Sequence, residues 1–221
     1  MTLSQLIIGV LGGTGPQGRG LAYRWALGGL SVVIGSRDAE RARGVAAALG
    51  ERSGSQRVRG AENFGCAAES DLVLVAVPFV GHATLLAALR EPLAGKVVID
   101  CVNPLGFDNR GPYAQHVPEG SAAQQAEALL PGSRVTAAFH HVSAVLLDDP
   151  AVTSVDTDVL VLGEDREATD LVRALAEVIP GVRGVYGGRL RNAGQVEALT
   201  ANLIAINRRY KAHAGLRITN L

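Results

Sequence analysis

The sequence predicts an α/β fold, a doubly wound and largely parallel sheet over residues 1–145 followed by a small C-terminal α/β annex over residues 146–221. Three observations carry that reading. Short β-branched runs alternate with Ala-, Leu- and Arg-rich stretches through the first half, the pattern of repeated βα units. The run LIIGVL (6–11) leads directly into a glycine-rich turn and then into a helical stretch. Hydrophobic residues make up 48% of the 221 positions and charged residues 19%, enough apolar surface for a sizeable core.

Each element follows in order. LIIGVL is apolar throughout, as a strand covered on both faces must be. PQGRGLAYRWALGG is helical, with Leu21, Trp25 and Leu27 on one side. SVVIGS (31–36) is the second strand, and DAERARGVAAALG the second helix, with Gly50 as its C-cap. DLVLVAVP (71–78) and KVVIDC (96–101) are central strands, joined by a helix across 80–90. Turn formers over 106–120 predict a loop above the C-terminal sheet edge. Ser121 caps the helix of SAAQQAEALLPG, and RVTAAFHHVSA (134–144) starts as a strand and ends as a polar loop. In the annex, DTDVLVLG (156–163) and GVRGVYGG (181–188) are strands around a helix at 165–178, and residues 192–210 form one long helix.

Composition excludes several functions. Lys plus Arg (21) balances Asp plus Glu (21), so the basic excess of a nucleic-acid binder is absent. Two cysteines, Cys66 and Cys101, make neither a disulfide framework nor a thiolate metal site. No His/Asp/Glu cluster has metal-ligand spacing, and no GxSxG elbow occurs. No apolar run reaches the roughly 18 residues of a membrane span, and the first residues lack a basic leader. The expectation is a soluble cytoplasmic protein with no metal, no nucleic-acid partner and no membrane contact.

The glycine-rich turn GGTGPQG contains Gly13-x-Gly15-x-x-Gly18 between strand and helix, the setting in which GxGxxG binds a dinucleotide on a Rossmann-type sheet. Gly13 allows the tight turn, Gly15 lets a pyrophosphate approach the backbone, and Gly18 lets helix and strand pack closely. Thr14 adds a hydroxyl donor, and Pro16 suits the first helical turn, where an amide has no partner. The end of the second strand chooses between cofactors. An NAD site places a carboxylate there; this chain has Ser36 and Arg37, with Arg41 one turn further. A hydroxyl and two guanidinium groups suit a 2′-phosphate, so the pair predicts NADP. Asp38 reads as a helix cap, and the alternative for Arg37 and Arg41 is a solvated helix face.

Ligands of such sheets lie beyond the C-terminal strand ends, which places Val77, Pro78 and Asn103 beside the nicotinamide. Asn103 either bonds the carboxamide or is a plain Asn-Pro turn former. His140 and His141 fall on the same rim, to hold a substrate oxygen or to cap backbone groups. His82 reads as a helix-start residue, His116 and His213 as surface, and Cys101 as packing. Enzymes that oxidise alcohols with NADP need a general acid or base, often a lysine. The chain has only Lys96, at the amino end of a strand, and Lys211, near the C-terminus. The co-substrate is therefore expected to carry its own redox chemistry, leaving the protein to hold two rings face to face.

IGVLGGTGPQGRGLA, VVIGSRDAERA, the Val77-Pro78 strand end, FHHVSA and the tail LRNAGQVEALTANLIAINRRY resemble the F420H2:NADP oxidoreductases, over nearly the whole chain. The resemblance implies an F420-dependent NADP reductase that passes a hydride reversibly between coenzyme F420 (an 8-hydroxy-5-deazaflavin) and NADP, with no catalytic acid or base. It matches Thr14, Gly15, Pro16 and Gln17 to the phosphate loop and Ser36, Arg37 and Arg41 to the 2′-phosphate pocket. Pro78, Asn103 and Ala144 match positions lining NADP. His140 and Val142 match the deazaflavin edge, with His140 an orienting residue, and Asn192 and Thr200 contribute from the annex. The stretch VPFVGHA is one residue longer than the family's usual turn, so Phe79 and His82 are not carried over as cofactor contacts. A homodimer with the annexes at its interface is implied. Two alternatives stand beside this reading: an NADP(H)-binding redox sensor, and an NADPH-dependent reductase of another small acceptor such as ferric ion or an imine.

Overall fold

A computed structural model describes residues 2–221. After a 3-10 turn at Leu3–Gln5, the βα alternation runs β1 (Ile7–Leu11), α1 (Pro16–Leu27), β2 (Ser31–Ser36), α2 (Ala39–Ser53), β3 (Val58–Glu62), α3 (Asn63–Glu69), β4 (Leu72–Val75), α4 (Phe79–Ala88) and β5 (Val97–Asp100). A hairpin, β6 (Leu105–Asp108) and β7 (Gly111–Ala114), precedes α5 (Ala122–Leu129), β8 (Arg134–Ala137) and α6 (Ala144–Asp148). The chain ends with β9 (Thr157–Gly163), α7 (Arg166–Glu177), β10 (Val182–Gly188), a second 3-10 turn and α8 (Ala193–Tyr210).

The described residues build an eight-stranded sheet in the order β10-β9-β8-β5-β4-β1-β2-β3. Ile8 lies beside Val32 on one side and Leu72 on the other, Leu72 beside Val97, and Val97 beside Arg134, all in parallel register. Within this sheet of the described residues only the β8–β9 ladder is antiparallel. The strands of the C-terminal region thus extend the same sheet. Successive residues of a strand point to opposite faces, so the apolar strands feed two cores. Ile8, Val10, Val32 and Ile34 pack with Trp25 and Phe139 on one face. Leu11, Val33, Val73 and Val75 pack with Leu86, Leu89 and Leu93 on the other. Trp25 meets Phe139 edge to face at 5.6 Å between ring centres.

Several local expectations change. Helix α2 runs on to Ser53 and ends at Gly54, whose φ of +66° makes it the left-handed cap in place of Gly50. Leu27 is exposed, because α1 ends there and only Leu21 and Trp25 reach the core. The 106–120 segment contains the β6–β7 hairpin, closed by an Asn109-Arg110 turn whose amides at Arg110 and Gly111 are held by the Asp108 carboxylate. Strand β3 and helix α3 form from VRGAENFGCAAE, where only a few apolar residues signal them. Asp38 and Ser121 cap their helices as expected.

One buried cation ties α1 to the segment after β8. The Arg24 guanidinium donates to the carbonyls of Leu146 (2.5 Å), Leu147 (2.7 Å), Asp149 (2.9 Å) and Val152 (2.6 Å) at and beyond the C-terminal end of α6. It satisfies orphan carbonyls that a helix end leaves without partners. Arg24→Ala leaves buried carbonyls unpaired and is expected to cost about 3 kcal/mol of stability, read as a lower urea midpoint. A midpoint equal to that of the wild type contradicts this role.

Candidate functional site

Strands β1, β4, β5 and β8 lie adjacent and parallel, so their C-terminal ends open on one side of the sheet. The segments that follow them are Gly12–Gly15, Ala76–Pro78, Cys101–Asn103 and Ala138–Val142. The last three of these segments, with Gln17 of α1, α8 and the tail after it, enclose a cleft of about 350 Å³, and the Gly12–Gly15 turn adjoins it. Reversal of strand order beside β1 makes this the expected ligand crevice of a doubly wound sheet.

The glycine turn is built for backbone approach. Gly12 carries the positive φ (+77°), and a Cβ there would meet the Ala76 carbonyl oxygen at 2.5 Å. The positive φ of the turn thus falls on Gly12, and Gly13 beside it is also required, since a Cβ there would meet the Val10 carbonyl oxygen at 2.8 Å. A Cβ on Gly18 would meet the Gly12 oxygen at 2.9 Å, which accounts for the close approach of α1 to the loop. Gly15 is the N-cap of α1, and Pro16 its first residue. The amides of Gln17 and Gly18 have no partner within the helix and, with the helix dipole, suit an anion. Thr14 lies in the same turn, half-buried.

At the end of β2, the Asp38 carboxylate accepts from the amides of Glu40 (2.9 Å) and Arg41 (3.2 Å) of its own helix. The Ser36 hydroxyl accepts from the Asp38 amide at 3.2 Å. Arg37 and Arg41 are exposed, and among the described residues neither forms an ion pair, whereas Arg43, Arg52, Arg59 and Arg183 all do. A hydroxyl and two free guanidinium groups beside a self-engaged carboxylate fit a phosphate better than a ribose hydroxyl.

The deeper part of the cleft centres on His140. Its ring is 4% exposed, lines the cleft, and neither ring nitrogen has a hydrogen-bond partner. Burial pushes its pKa down to about 4, against the pull of Asp100, so the imidazole is neutral. Phe139 just before it has φ +66°, an unfavourable conformation for a bulky residue, and its neighbours hold it there. The Gln17 amide donates to the Phe139 carbonyl (3.1 Å), and Asn103 Nδ2 (2.8 Å) and Thr200 Oγ1 (3.2 Å) donate to the His140 carbonyl.

His141 donates from Nε2 to the Asp158 carbonyl (2.6 Å) and leaves Nδ1 without a partner. The Asp158 carboxylate accepts from Arg183 (2.6 and 2.7 Å), Arg217 (2.6 Å) and the Ile218 amide (2.6 Å), contacts that hold its carboxyl well below the usual carboxylate range. This clamp pins the C-terminal tail, and Ala214, fixed by Asn207 Oδ1 (2.6 Å), becomes part of the cleft wall.

Gln17, Val77, Asn103, His140, Val142, Ala144 and Thr200 all line this cleft. Gly13, Thr14, Gly15, Pro16 and Gly18 form the adjoining turn and helix start, and Ser36, Arg37 and Arg41 lie at the end of β2 and the start of α2. Two predicted residues are not brought to the cleft lining: Pro78 is the exposed N-cap of α4, and Asn192 ends the turn before α8. Asn103 lines the cleft and gives one amide hydrogen to the His140 carbonyl. Leu203, Ile204, Asn207 and Ala214 line the cleft without having been singled out. The spacing of Val196, Thr200, Leu203, Ile204 and Asn207 is a helical stripe that signals such a face. Cys101 faces the cleft but donates its thiol to the Val75 carbonyl at 3.2 Å, and burial raises its pKa, so it stays a thiol.

Residues 7–104 match the family described as NADP oxidoreductase, coenzyme F420-dependent. The chain is 42% identical to an F420-dependent NADP reductase of Methanothermobacter thermautotrophicus over 97% of this chain and 95% of that protein. A protein of the same name from Methanocaldococcus jannaschii is 37% identical over 97% and 98%. Among solved structures, an assigned F420-dependent NADP reductase of Arthrobacter sp. FB24 aligns with a TM-score of 0.81 at 28% identity, over 97% of this chain and all (100%) of that one.

A neutral buried His140 has a signature in stability. Its folded pKa lies below the unfolded value of about 6.5, so the stability tied to it is complete above that pH and is lost as pH falls toward 4. Between these limits the stability of the wild type relative to His140→Phe is expected to fall on the order of 1.4 kcal/mol per pH unit, read from urea midpoints. A pH-independent difference contradicts the neutral imidazole.

Proposed function

The chain belongs to the coenzyme F420-dependent NADP oxidoreductase family, and on that premise we propose that the cleft at the strand ends is where a hydride passes between F420 and NADP. The observation that carries the reading is chemical. The cleft lining holds no lysine, carboxylate, arginine or tyrosine; burial lowers the pKa of both its histidines, His140 and His141, and raises that of its thiol, Cys101. A site that moved a proton with the hydride needs a group with a pKa near the working pH. This cleft instead offers apolar walls and fixed polar groups, the equipment for aligning two rings.

Bound together, the nicotinamide and the deazaflavin would supply the redox chemistry: a hydride passes between carbon atoms of the two rings, and the second hydrogen of F420H2 leaves as a proton to water, so that F420H2 and NADP+ give F420, NADPH and a proton. The chain's own residues bind, orient and exclude water. The amides at the start of α1, with Gly13, Thr14, Gly15, Pro16, Gln17 and Gly18, hold the pyrophosphate. Ser36, Arg37 and Arg41 hold the 2′-phosphate. Val77 and Ala144 flank the nicotinamide, with Pro78 at the mouth, while Asn103 fixes the His140 loop. His140 and Val142 face the deazaflavin, with the neutral imidazole as an orienting group in the wall. Thr200 and the α8 stripe form the opposite wall. Asn192 contributes at the outer end.

In this reading residues 1–145 bind NADP and residues 146–221 complete the deazaflavin site. The exposed Ile206 and Tyr210 of α8, with Tyr113 of the neighbouring hairpin, supply an apolar face for a homodimer. Among the described residues no helix is long and apolar enough to cross a membrane, and Cys66 and Cys101 are free thiols, which accords with a cytoplasmic site. Neither the sensor nor the ferric- or imine-reductase alternative accounts for full-length likeness to F420-dependent reductases.

Purified protein mixed with reduced F420 and NADP is expected to restore F420 absorbance, with little recovery when NAD replaces NADP; absence of turnover despite tight NADPH binding contradicts the reading. Arg37→Ala is expected to lose about 1–3 kcal/mol of NADP binding and far less of NAD binding. Equal weakening of both removes the 2′-phosphate assignment.

A further inference from the structure

Beneath the cleft floor lies a polar cluster that the hydride transfer does not use. His82 on α4 and Asp100 at the end of β5 are both fully buried, with Nε2 and Oδ2 2.6 Å apart. The other ring nitrogen, Nδ1, is 3.0 Å from Gln125 Oε1 on α5. The orientation of that amide is set from outside: Gln125 Nε2 donates to Glu119 Oε2 at 3.2 Å, and a carboxylate oxygen only accepts. The carbonyl end of Gln125 therefore faces His82, and only an N–H can meet it. Nε2 faces the carboxyl of Asp100. The other oxygen of that carboxyl accepts from a backbone amide, so the pair is the charge-assisted contact of a ring N–H with a carboxylate.

The same carboxyl organises the floor. Asp100 Oδ1 accepts from the Val102 amide at 3.0 Å, closing the turn from which Asn103 reaches the His140 carbonyl. We propose that His82 is a positioning residue for the nicotinamide side of the cleft, a buried imidazolium protonated on both nitrogens that holds Asp100, and through it the Val102–Asn103 turn and the His140 loop. The activity arm of its test rests on the hydride-transfer reading above; its protonation arm does not.

The groups facing the ring are Asp100 from β5, Gln125 from α5 and Glu197 from α8, with Phe79 of its own helix 6.1 Å away between ring centres. Burial lowers the pKa of His82, but bonds to Asp100 and Gln125 outweigh it and the net direction is up. Glu197 accepts from the Ala122 (2.9 Å) and Ala123 (3.1 Å) amides, and burial pushes it up to about 7. Of the two carboxyls near the ring, Asp100 meets it directly, while both oxygens of Glu197 are taken up by backbone amides.

The wild-type chain labelled with 15N-histidine tests the charge directly. Both His82 ring nitrogens are expected at imidazolium shifts from pH 6 to pH 8.5; a neutral tautomer pattern, or a titration inside that range, overturns the proposal. His82→Gln keeps one donor and removes the charge. It is expected to lower kcat about tenfold with the NADPH Kd within twofold, and His82→Gln/Asp100→Asn, which removes both charges, to regain at least threefold. An unchanged kcat, or a double variant that loses activity additively, overturns the positioning role. If His82→Gln fails to fold, the nitrogen shifts of the wild type decide. A wild-type chain without F420 turnover contradicts the proposed function and leaves the nitrogen shifts to judge this inference alone.

Discussion

The carbonyl of His140 is where the site is held together. It accepts from Asn103 after β5 and from Thr200 on α8, while Gln17 of α1 holds the carbonyl one residue earlier. Three parts of the chain far apart in sequence thereby fix one short loop. That loop needs fixing, because Phe139 has a positive φ and its side chain is buried in the core against Trp25. Such a conformation persists only where the surroundings over-determine it, at a cost of about 1–3 kcal/mol. What the strain secures is the placement of an uncharged imidazole, neither nitrogen hydrogen-bonded, in the wall of a cleft of mixed apolar and polar lining.

The rest of the molecule divides the work between rigid and adaptable parts. The parallel sheet brings four strand ends to one side, which requires no polar chemistry beyond its own ladders. The polar chemistry lies in the connections. Arg24 secures the segment after β8 through its carbonyls, and Asp158 secures the tail through Arg183, Arg217 and a backbone amide. Both are buried ionic groups with most of their hydrogen-bonding capacity used, the condition under which burial of charge is tolerated. Arg37 and Arg41 stand at the opposite extreme, exposed after β2 and in the first turn of α2, and without an ion pair among the described residues.

Much of this was legible in the residues. Period and turn chemistry place β1, the glycine turn and the Ser36-Arg37 strand end, because these depend on local backbone preference and on residue type alone. Caps at Asp38 and Ser121 are legible for the same reason. Illegible features depend on distant partners. Nothing near His82 in sequence reveals that Asp100 and Gln125 turn it into a buried core residue. Nothing near Asn103 says that its amide will meet a carbonyl 37 residues on. The β6–β7 hairpin is hidden because LGFD and GPYA read as turn formers, and it takes shape through the Asp108 side-chain bonds. The positive φ falls on Gly12, and both Gly12 and Gly13 lack room for a side chain, Gly12 against the Ala76 carbonyl and Gly13 against that of Val10, contacts that no local pattern reveals.

The central claim is that the hydride moves directly between two rings held by a cleft that supplies no proton. Deuterium placed at C4 of NADPH, in each of its two configurations in turn, and followed into reduced F420 tests that most directly. One configuration is expected to deliver its deuterium to the deazaflavin without loss to water across the reaction. Deuterium washed out into solvent, from both configurations, would mean that a group of the protein exchanges it, and would contradict the account.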